Sequence, residues 1–555
     1  MSSKARRDIG ILLLLLAFVM LPVLKLHAQT NLGQVNGTIY DQTGTVVPRA
    51  QIVLSDLDKS AQRQAISSGA GTYVIQSVPP GRYSLTVTMS GFSKYVVPEF
   101  RLQVNEARTI DAQLTIGVVT QTVEVKATPV ALNQTDATLG EVVQHQEITQ
   151  IPLNGRNFTQ LMTLAPGVSP IAVGQQAAFM ISGGWSYSVN GMRMMMNNFT
   201  LDGLENNMRF TNSYASPPPP DALEEFKIST HQSDAAAALA AGANINLVTR
   251  SGNNTFHGAA WDFLRNDKLT ANGFFNNYYG SPKLAYKQNQ FGFFVGGPVM
   301  LPHILNGKKS RTFFAAYYEG VRYTQVSDTY AEVPDAAERS GDFSELLGAA
   351  LPGTDCLGRT VLKGALYDPS TYRVTAACPN GVTDPFPNDK LPSIHPIAMD
   401  YLNEFYPLPN RSTIPDLSLS QRYTQTSNQW GVRIDQNVGD KQMLFGRASR
   451  YNYYRLNPGG LPLDAFNQVN SGDNILGHYT RIISPTFLFD FLAGYNRASI
   501  PYRYQPLSAA WNKLVGDDFA IPLVSGFMPA GMYLNGSQFT GTTFLNYDLA
   551  NPDTG

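Results

Sequence analysis

The sequence predicts a mainly β chain: an N-terminal β-sandwich, a compact α/β segment, then the first strands of an incomplete membrane β-barrel. Three observations predict it. Beyond residue 255, side chains alternate with period two, as only a strand allows. Trp430, Val432 and Ile434 share one face, with Gly431, Arg433 and Asp435 on the other; Phe487, Phe489, Phe491 and Tyr495 stand against Asp490, Gly494 and Asn496. Second, the connectors are alternately short and long, as in barrels with short turns at one rim and long loops at the other. A soluble sandwich has no reason to sort its loops by parity. Third, no internal apolar run reaches the length of a transmembrane helix, so a membrane would be crossed by strands.

Strands are expected near 256–265, 287–299, 311–325, 428–438, 441–453, 474–484 and 486–498. The short links are Met300 to Ser310, Gly439-Asp440 and Pro485; the third link, from Val326 to Ser427, is the longest. Two residues break the alternation: Arg447 shares a face with Phe445, and Glu319 with Tyr317. Composition fits a membrane chain. Charged residues are 15%, below the typical quarter, and aromatics crowd the C-terminal half. A net charge of -1 supplies no global field toward nucleic acid.

The N-terminus reads as a signal peptide over residues 1–28. Lys4, Arg6 and Arg7 precede an apolar run from Ile9 to Leu24, and cleavage is expected before Gln29; a retained anchor is the alternative. Export permits disulfides, and Cys356 and Cys378 both lie in the long third loop. A disulfide between them is expected, with two free thiols as the alternative.

Residues 33–115 show turn signals at short spacing, at Asp41-Gln42-Thr43-Gly44, Gly69-Ala70-Gly71, Pro79-Pro80-Gly81 and Ser90-Gly91, between β-rich runs. This predicts the sandwich. Its wording, Gly37-Thr38-Ile39-Tyr40-Asp41 through Gly91-Phe92, resembles the carboxypeptidase regulatory-like domain. Peptidase chemistry is not implied, since the stretch holds no His or Cys. Residues 116–134 form a polar linker, and 135–252 a compact α/β segment with tight-turn pairs at Asn154-Gly155, Asn190-Gly191 and Asp202-Gly203. Residues 253–555 carry the barrel strands.

Catalysis finds no support. The seven histidines, at 27, 145, 231, 257, 303, 395 and 478, lack paired-ligand spacing, and no nucleophile elbow or phosphate-cradling loop occurs. Neither a metal site nor a cofactor is expected.

The ordered set Ile151-Pro152-Leu153-Asn154-Gly155-Arg156-Asn157-Phe158, Val189-Asn190-Gly191-Met192-Arg193, Leu201-Asp202-Gly203 and Asn246-Leu247-Val248-Thr249-Arg250 resembles the plug domain of TonB-dependent receptors of the Oar-like branch. The likeness continues through Phe263-Leu264-Arg265-Asn266-Asp267, Gly296-Gly297-Pro298 and Tyr406-Pro407-Leu408-Pro409-Asn410. It implies an outer-membrane β-barrel gated by an α/β plug, periplasmic N-terminal domains and external loops. It also implies a TonB-type energy-transducing inner-membrane complex as partner and a siderophore, oligosaccharide or peptide as ligand. Within the linker, Gln121-Thr122-Val123-Glu124-Val125-Lys126-Ala127 looks like the coupling segment such a partner pairs with; the alternative is a last strand of the sandwich. In a plug, Arg156 could pair with wall carboxylates; the alternative is a surface arginine after a turn. Met192, Met194, Met195 and Met196 read as packing more readily than as an adaptable ligand surface. Tyr401, Phe405 and Tyr406 could stack on a flat ligand, though loop self-packing fits better.

Two departures stand. Asp234 to Ala243 is an alanine-rich run where the family often has an acidic-aromatic-glycine stretch. Family barrels have about twenty-two strands, whereas seven are legible here. An open edge cannot face lipid, so the chain is expected to be the N-terminal part of a longer polypeptide. A non-transporting outer-membrane protein for carbohydrate binding, adhesion or secretion is the rival reading.

Overall fold

The computed structural model describes residues 32–504, apart from 60, 118–121, 125–138, 172–185, 209–212, 232–240, 279, 301–310, 459–465, 485–486 and 500–501. The signal-peptide expectation lies outside these residues, as does most of the alanine-rich run.

Eight strands build the sandwich: β1 (Gly33–Asp41), β2 (Gln51–Asp56), β3 (Gln62–Ile66), β4 (Thr72–Val78), β5 (Gly81–Thr88), β6 (Lys94–Leu102), β7 (Ala107–Thr109) and β8 (Ala112–Leu114). Alternate residues of β1, β5 and β6 are buried. They place Val35, Ile39, Leu85, Val87 and Val97 in one core with Ile52 and Leu54 of β2. β1 carries β4, β7 and β8; the facing sheet runs β3-β2-β5-β6. A ninth strand, β9 (Thr122–Glu124), joins that sheet at its edge, parallel to β6, with Tyr95 opposite Val123.

The central domain follows. β10 (Leu139–Gln144) leads into the helix His145–Gln150, closed by a reciprocal cap between Gln144 and Glu147. After β11 (Val168–Ile171) and β12 (Ser186–Val189) come β13 (Asn198–Leu201), β14 (Leu204–Glu205), β15 (Asn207–Met208), β16 (Ser213–Tyr214), β17 (Leu223–His231) and β18 (Asn244–Thr249). A mixed sheet of order β10-β17-β18-β13-β14 forms its spine. β18 is buried along its whole length. Its two asparagines are therefore matched: Asn198 Nδ2 donates to Asn244 Oδ1 at 2.7 Å, and Thr200 Oγ1 to Asn246 Oδ1 at 2.7 Å. Phe226, Ile228, Ile245 and Leu247 close the core.

Beyond it stands an antiparallel wall. β19 (His257–Asn266), β20 (Tyr286–Pro298) and β21 (Thr312–Ala331) precede a long connection. That connection holds the hairpins β22 (Ala350–Thr354) with β23 (Thr360–Leu362) and β24 (Tyr367–Arg373) with β25 (Val382–Pro385). β26 (Leu417–Val438), β27 (Gln442–Asn457), β28 (Phe466–Ser484) and β29 (Phe487–Ser499) complete the row, and β30 (Tyr502–Tyr504) pairs with β28. The order is sequential, and the sheet is open among the described residues. Seven expected strands match seven observed ones.

Four are longer than expected, β27 among them with its end at Asn457. β21 runs on to Ala331, β26 begins at Leu417 and β28 at Phe466, so the third connection shrinks to 332–416 and the fifth to 458–465. The first short link, 299–311, thus exceeds the fifth connection, and the parity rule holds less strictly than the sequence implied.

The two faces of the wall differ as expected. Trp430, Val432 and Ile434 are 40%, 45% and 56% exposed, and Phe487, Phe489, Phe491 and Tyr495 share their outward face. Such a broad apolar surface on a folded sheet requires an apolar medium. Inward lie Asp435, Arg447, Ser449, Asn470, Asn474 and Thr480, all buried. The two exceptions to alternation, Glu319 and Arg447, are inward residues buried against the central domain. No helix among the described residues is long and apolar enough to cross a membrane.

Candidate functional site

The site is the contact between the central domain and the inward face of the wall. It rests on two turns that only the right sequence can make. After Leu153, Gly155 (φ 66) and Arg156 (φ 54) both take left-handed backbone, and Asn157 accepts the Thr159 N–H at 3.0 Å to start the next helical turn. Leu153 packs on the central core and anchors the turn. The second turn, between β13 and β14, puts Asp202 (φ 52) and Gly203 (φ 89) in the same region. Aspartate tolerates this conformation and glycine adopts it freely.

Each turn offers one charge to the wall. Arg156 Nε donates to Glu319 Oε2 at 3.2 Å, while its Nη2 pairs with Asp221 of the central domain. Its guanidinium also lies 5.0 Å from the Trp261 ring and 4.6 Å from that of Phe263. Glu319 is held by the wall itself: it accepts from Trp261 Nε1 (3.1 Å), Gln290 Nε2 (3.1 Å) and Gln429 Nε2 (2.8 Å). Three wall donors orient this buried carboxylate, and Arg156 supplies the fourth.

The second contact reverses the polarity. Asp202 accepts the Thr249 N–H at 2.9 Å and the Thr249 hydroxyl at 2.8 Å. Two wall arginines then close on it. Arg433 Nη1 donates at 3.2 Å, and Arg447 Nε lies 2.7 Å away as an ion pair whose N–H is not aimed at the oxygen. Arg433 is fixed by a bidentate pair with Asp435, 2.9 Å on each arm, and by the Phe445 ring at 4.3 Å. Arg447 donates to Ser449, Asn474 and the Leu201 carbonyl. Asn474 and Asn496 extend the contact to the carbonyls of Glu205 and Asn207. Wall glycines allow the close approach: a Cβ on Gly472 would stand 2.1 Å from the Ala215 carbonyl oxygen.

Other expected residues lie apart. Asn190 (φ 51) and Gly191 (φ 76) make their turn, and Asn190 Nδ2 bonds the Thr230 carbonyl at 2.7 Å. Arg193 is exposed and meets no wall residue in a described contact. Met192, Met195 and Met196 are also exposed, against the packing expected for them. Their short 3-10 turn points away from the core. Thr122, Val123 and Glu124 form β9 on the sandwich; Val125 lies outside the described residues. Cys356 and Cys378 are joined, with a Cα–Cα distance of 5.4 Å. Tyr406 is buried in the long loop, which favours self-packing there; the side chains of Tyr401 and Phe405 lie outside the described residues. No group of three or more His, Cys, Asp or Glu among the described residues is placed to hold a metal ion.

Reading the sequence alone missed the wall partners of Asp202 and the sandwich contacts of the central domain. The only signal for the former was the broken alternation at Arg447.

An open strand wall, greasy outside and polar toward a clasped inner domain, defines an outer-membrane barrel protein. The chain belongs to the outer membrane beta barrel domain family, whose pattern matches residues 248–551, and residues 34–115 match the carboxypeptidase regulatory-like domain. It lies in the outer membrane. It is similar to the TonB-dependent transporter Oar of Myxococcus xanthus, 25% identical over 337 residues, covering 57% of this chain and 30% of that protein. Among solved structures it is similar to the ferric enterobactin receptor PfeA of Pseudomonas aeruginosa (11% identity, TM-score 0.33, covering 66% of this chain and 46% of that one). A second is the outer membrane transporter YddB of Escherichia coli (10% identity, TM-score 0.39, 66% and 40%). The chain thus spans less than half the length of each.

Proposed function

We propose that this chain is part of a TonB-dependent transporter in which residues 135–252 are the plug. Ligand is taken up from outside through the wall, and an inner-membrane energy-transducing complex drives the plug aside. The observation that carries this reading is the pair of opposed clasps, Arg156 on Glu319 and Asp202 between Arg433 and Arg447. Charge pairs of this kind hold a domain in one register and still release as a set, unlike an apolar core. The ligand class is the one the sequence resemblance implies: a siderophore, an oligosaccharide or a peptide. No covalent chemistry is needed.

The coupling role falls to residues 122–125. Val123→Pro in the full-length protein should abolish binding of the partner's periplasmic domain, because proline cannot donate to an added strand. Undiminished binding would remove the coupling assignment. Arg156→Ala should admit a large glycopeptide antibiotic into cells, read as a lowered inhibitory concentration; an unchanged value would remove the gate. A second reading, a non-transporting surface protein, is favoured by one observation: Thr122–Glu124 is already paired as a sandwich strand.

A further inference from the structure

The sandwich does not hang free. Its β6–β7 turn meets the start of β17 in the central sheet. Arg101 Nη2, at the end of β6, donates to Glu224 Oε1 at 2.9 Å and to Glu225 Oε2 at 3.4 Å. The Val104 N–H donates to Glu225 Oε1 at 2.5 Å. Lys227 Nζ reaches the carbonyl of Asn105 at 3.4 Å, and Asn105 takes φ 51 to present it. Glu225 is wholly buried, so this is a built socket rather than a surface touch. A second contact lies on the wall. Lys59 Nζ stands 3.6 Å from Asp435, the residue that fixes Arg433, and the Asn254 N–H donates to the Asp58 carbonyl at 3.1 Å.

These two contacts bear on the same machinery. Glu224 and Glu225 follow Asp221, the internal partner of Arg156, by three and four positions. Asp435 anchors the arginine that holds Asp202. The sandwich therefore touches the support of the Asp202 clasp through Asp435 and grips the strand that follows Asp221, beside the Arg156 clasp.

We propose that the N-terminal sandwich is a latch that holds the central domain closed, seated on Glu224 and Glu225 through Arg101 and the Val104 amide. The inference rests on the reading of the central domain as a movable plug. β6 carries Arg101 at one end and β9 against Lys94–Val96 at the other, so the strand that grips is also the strand the coupling segment lies on. Displacing β9 acts directly on the gripping strand.

The Val104 amide reports the latch without any ligand or energy source. In the purified full-length protein in detergent, its hydrogen exchange should be protected. Arg101→Glu should raise exchange at Val104 by at least about tenfold, the scale of one lost charge-assisted hydrogen bond. Adding Glu224→Arg should restore protection by recreating the pair with its charges exchanged. Glu225→Ala, which removes the acceptor, should match Arg101→Glu. An unprotected Val104 amide in the unaltered protein would overturn the latch, as would protection unmoved by either single change. If Val104 behaves as stated while Val123→Pro leaves partner binding intact, the latch stands and only the coupling assignment falls. A latch that fails while Arg156→Ala still leaks leaves the plug reading in place.

Discussion

Asp202 is the position where one substitution should cost most. Its carboxylate meets Arg433 at 3.2 Å and Arg447 at 2.7 Å, and it is 5% exposed. Asp202→Ala removes the only carboxylate paired with Arg447 in the described structure, whereas Arg433 keeps its bidentate hold on Asp435. One buried guanidinium is thus stranded rather than two. Breaking a buried pair from one side costs about 3–5 kcal/mol. A Coulomb estimate agrees, at about 4 kcal/mol for unit charges about 4 Å apart in an effective dielectric of about 20. Asn474, Ser449 and the Leu201 carbonyl still accept from Arg447, so the lower half of that range is expected. The assay is denaturant unfolding of the full-length protein in detergent micelles, with Arg447→Met and the double variant Asp202→Ala plus Arg447→Met completing a cycle. Asp202→Ala should lower stability by about 3 kcal/mol, and the double change by less, because with both charges removed none is left buried and unpaired. If Asp202→Ala costs under about 1 kcal/mol, or if the two changes simply add, the clasp does not bind the central domain to the wall.

Three further outcomes follow from other parts of the molecule. Val432→Arg, on the outward face of β26, should impair folding into bilayers by about 2–4 kcal/mol near the midplane and leave a detergent-refolded sheet intact; equal folding in lipid would deny that this face meets acyl chains. Burial pushes the Glu225 carboxyl up to about 7, against the pull of Arg101 and with Glu224 adding to the rise. The docked form thus binds a proton that the undocked carboxylate releases. Docking is firmest below the ordinary glutamate range and weakens as pH rises to about 7, then levels; Arg101 and Glu224 are the charges acting on the group, while Arg250 pairs with Glu224 and Lys227 with the Asn105 carbonyl. The Val104 protection factor, corrected for intrinsic exchange, should fall over that window, and the fall should vanish in Glu225→Gln. Finally, a free-thiol assay on the unreduced protein should find none, and reduction should increase proteolysis of the 350–385 hairpins alone, since the disulfide closes a separation of only 22 residues.

The wall was legible because its signal is local. Alternation needs only a window of a few residues, and the outward faces of β26 and β29 were read residue by residue. The missed lengths have a physical cause. Beyond Val326 and before Ser427 the strands read Ser327-Asp328-Thr329 and Ser418-Leu419-Ser420-Gln421-Arg422, polar but for Leu419 and with no continuous apolar face. Their ladder still runs unbroken to Ala331 opposite Leu417. A strand that stands clear of lipid has no greasy face to betray it. The turn at Asp202-Gly203 was equally local and took the left-handed backbone that the pair demands, whereas at Asn154-Gly155 the left-handed residues are Gly155 and Arg156, one position on. Partners were not local. Arg101 finds Glu225 across 124 positions, and nothing in either neighbourhood points to the other.

The irregularities prove more informative than the pattern. Glu319 and Arg447 share the inward face with the buried rings of Tyr317 and Phe445, and each meets there a charge of opposite sign from the central domain. Arg156 and Asp202 occupy left-handed turns, a costly conformation for a side chain to hold. These are the same two contacts seen from opposite sides. A wall residue buries a charge and a turn residue presents its opposite from left-handed backbone, and the burial is compensated only when both are present. A plain inward face of Ser and Asn would satisfy water and hold nothing; a plain apolar one would fuse the central domain to the wall. Paired charges on strained turns, seated on preformed sockets such as the Trp261–Gln290–Gln429 cradle, give a contact that is specific when made and open to exchange with water when broken. That combination is what a domain requires if it must close a wall and later leave it.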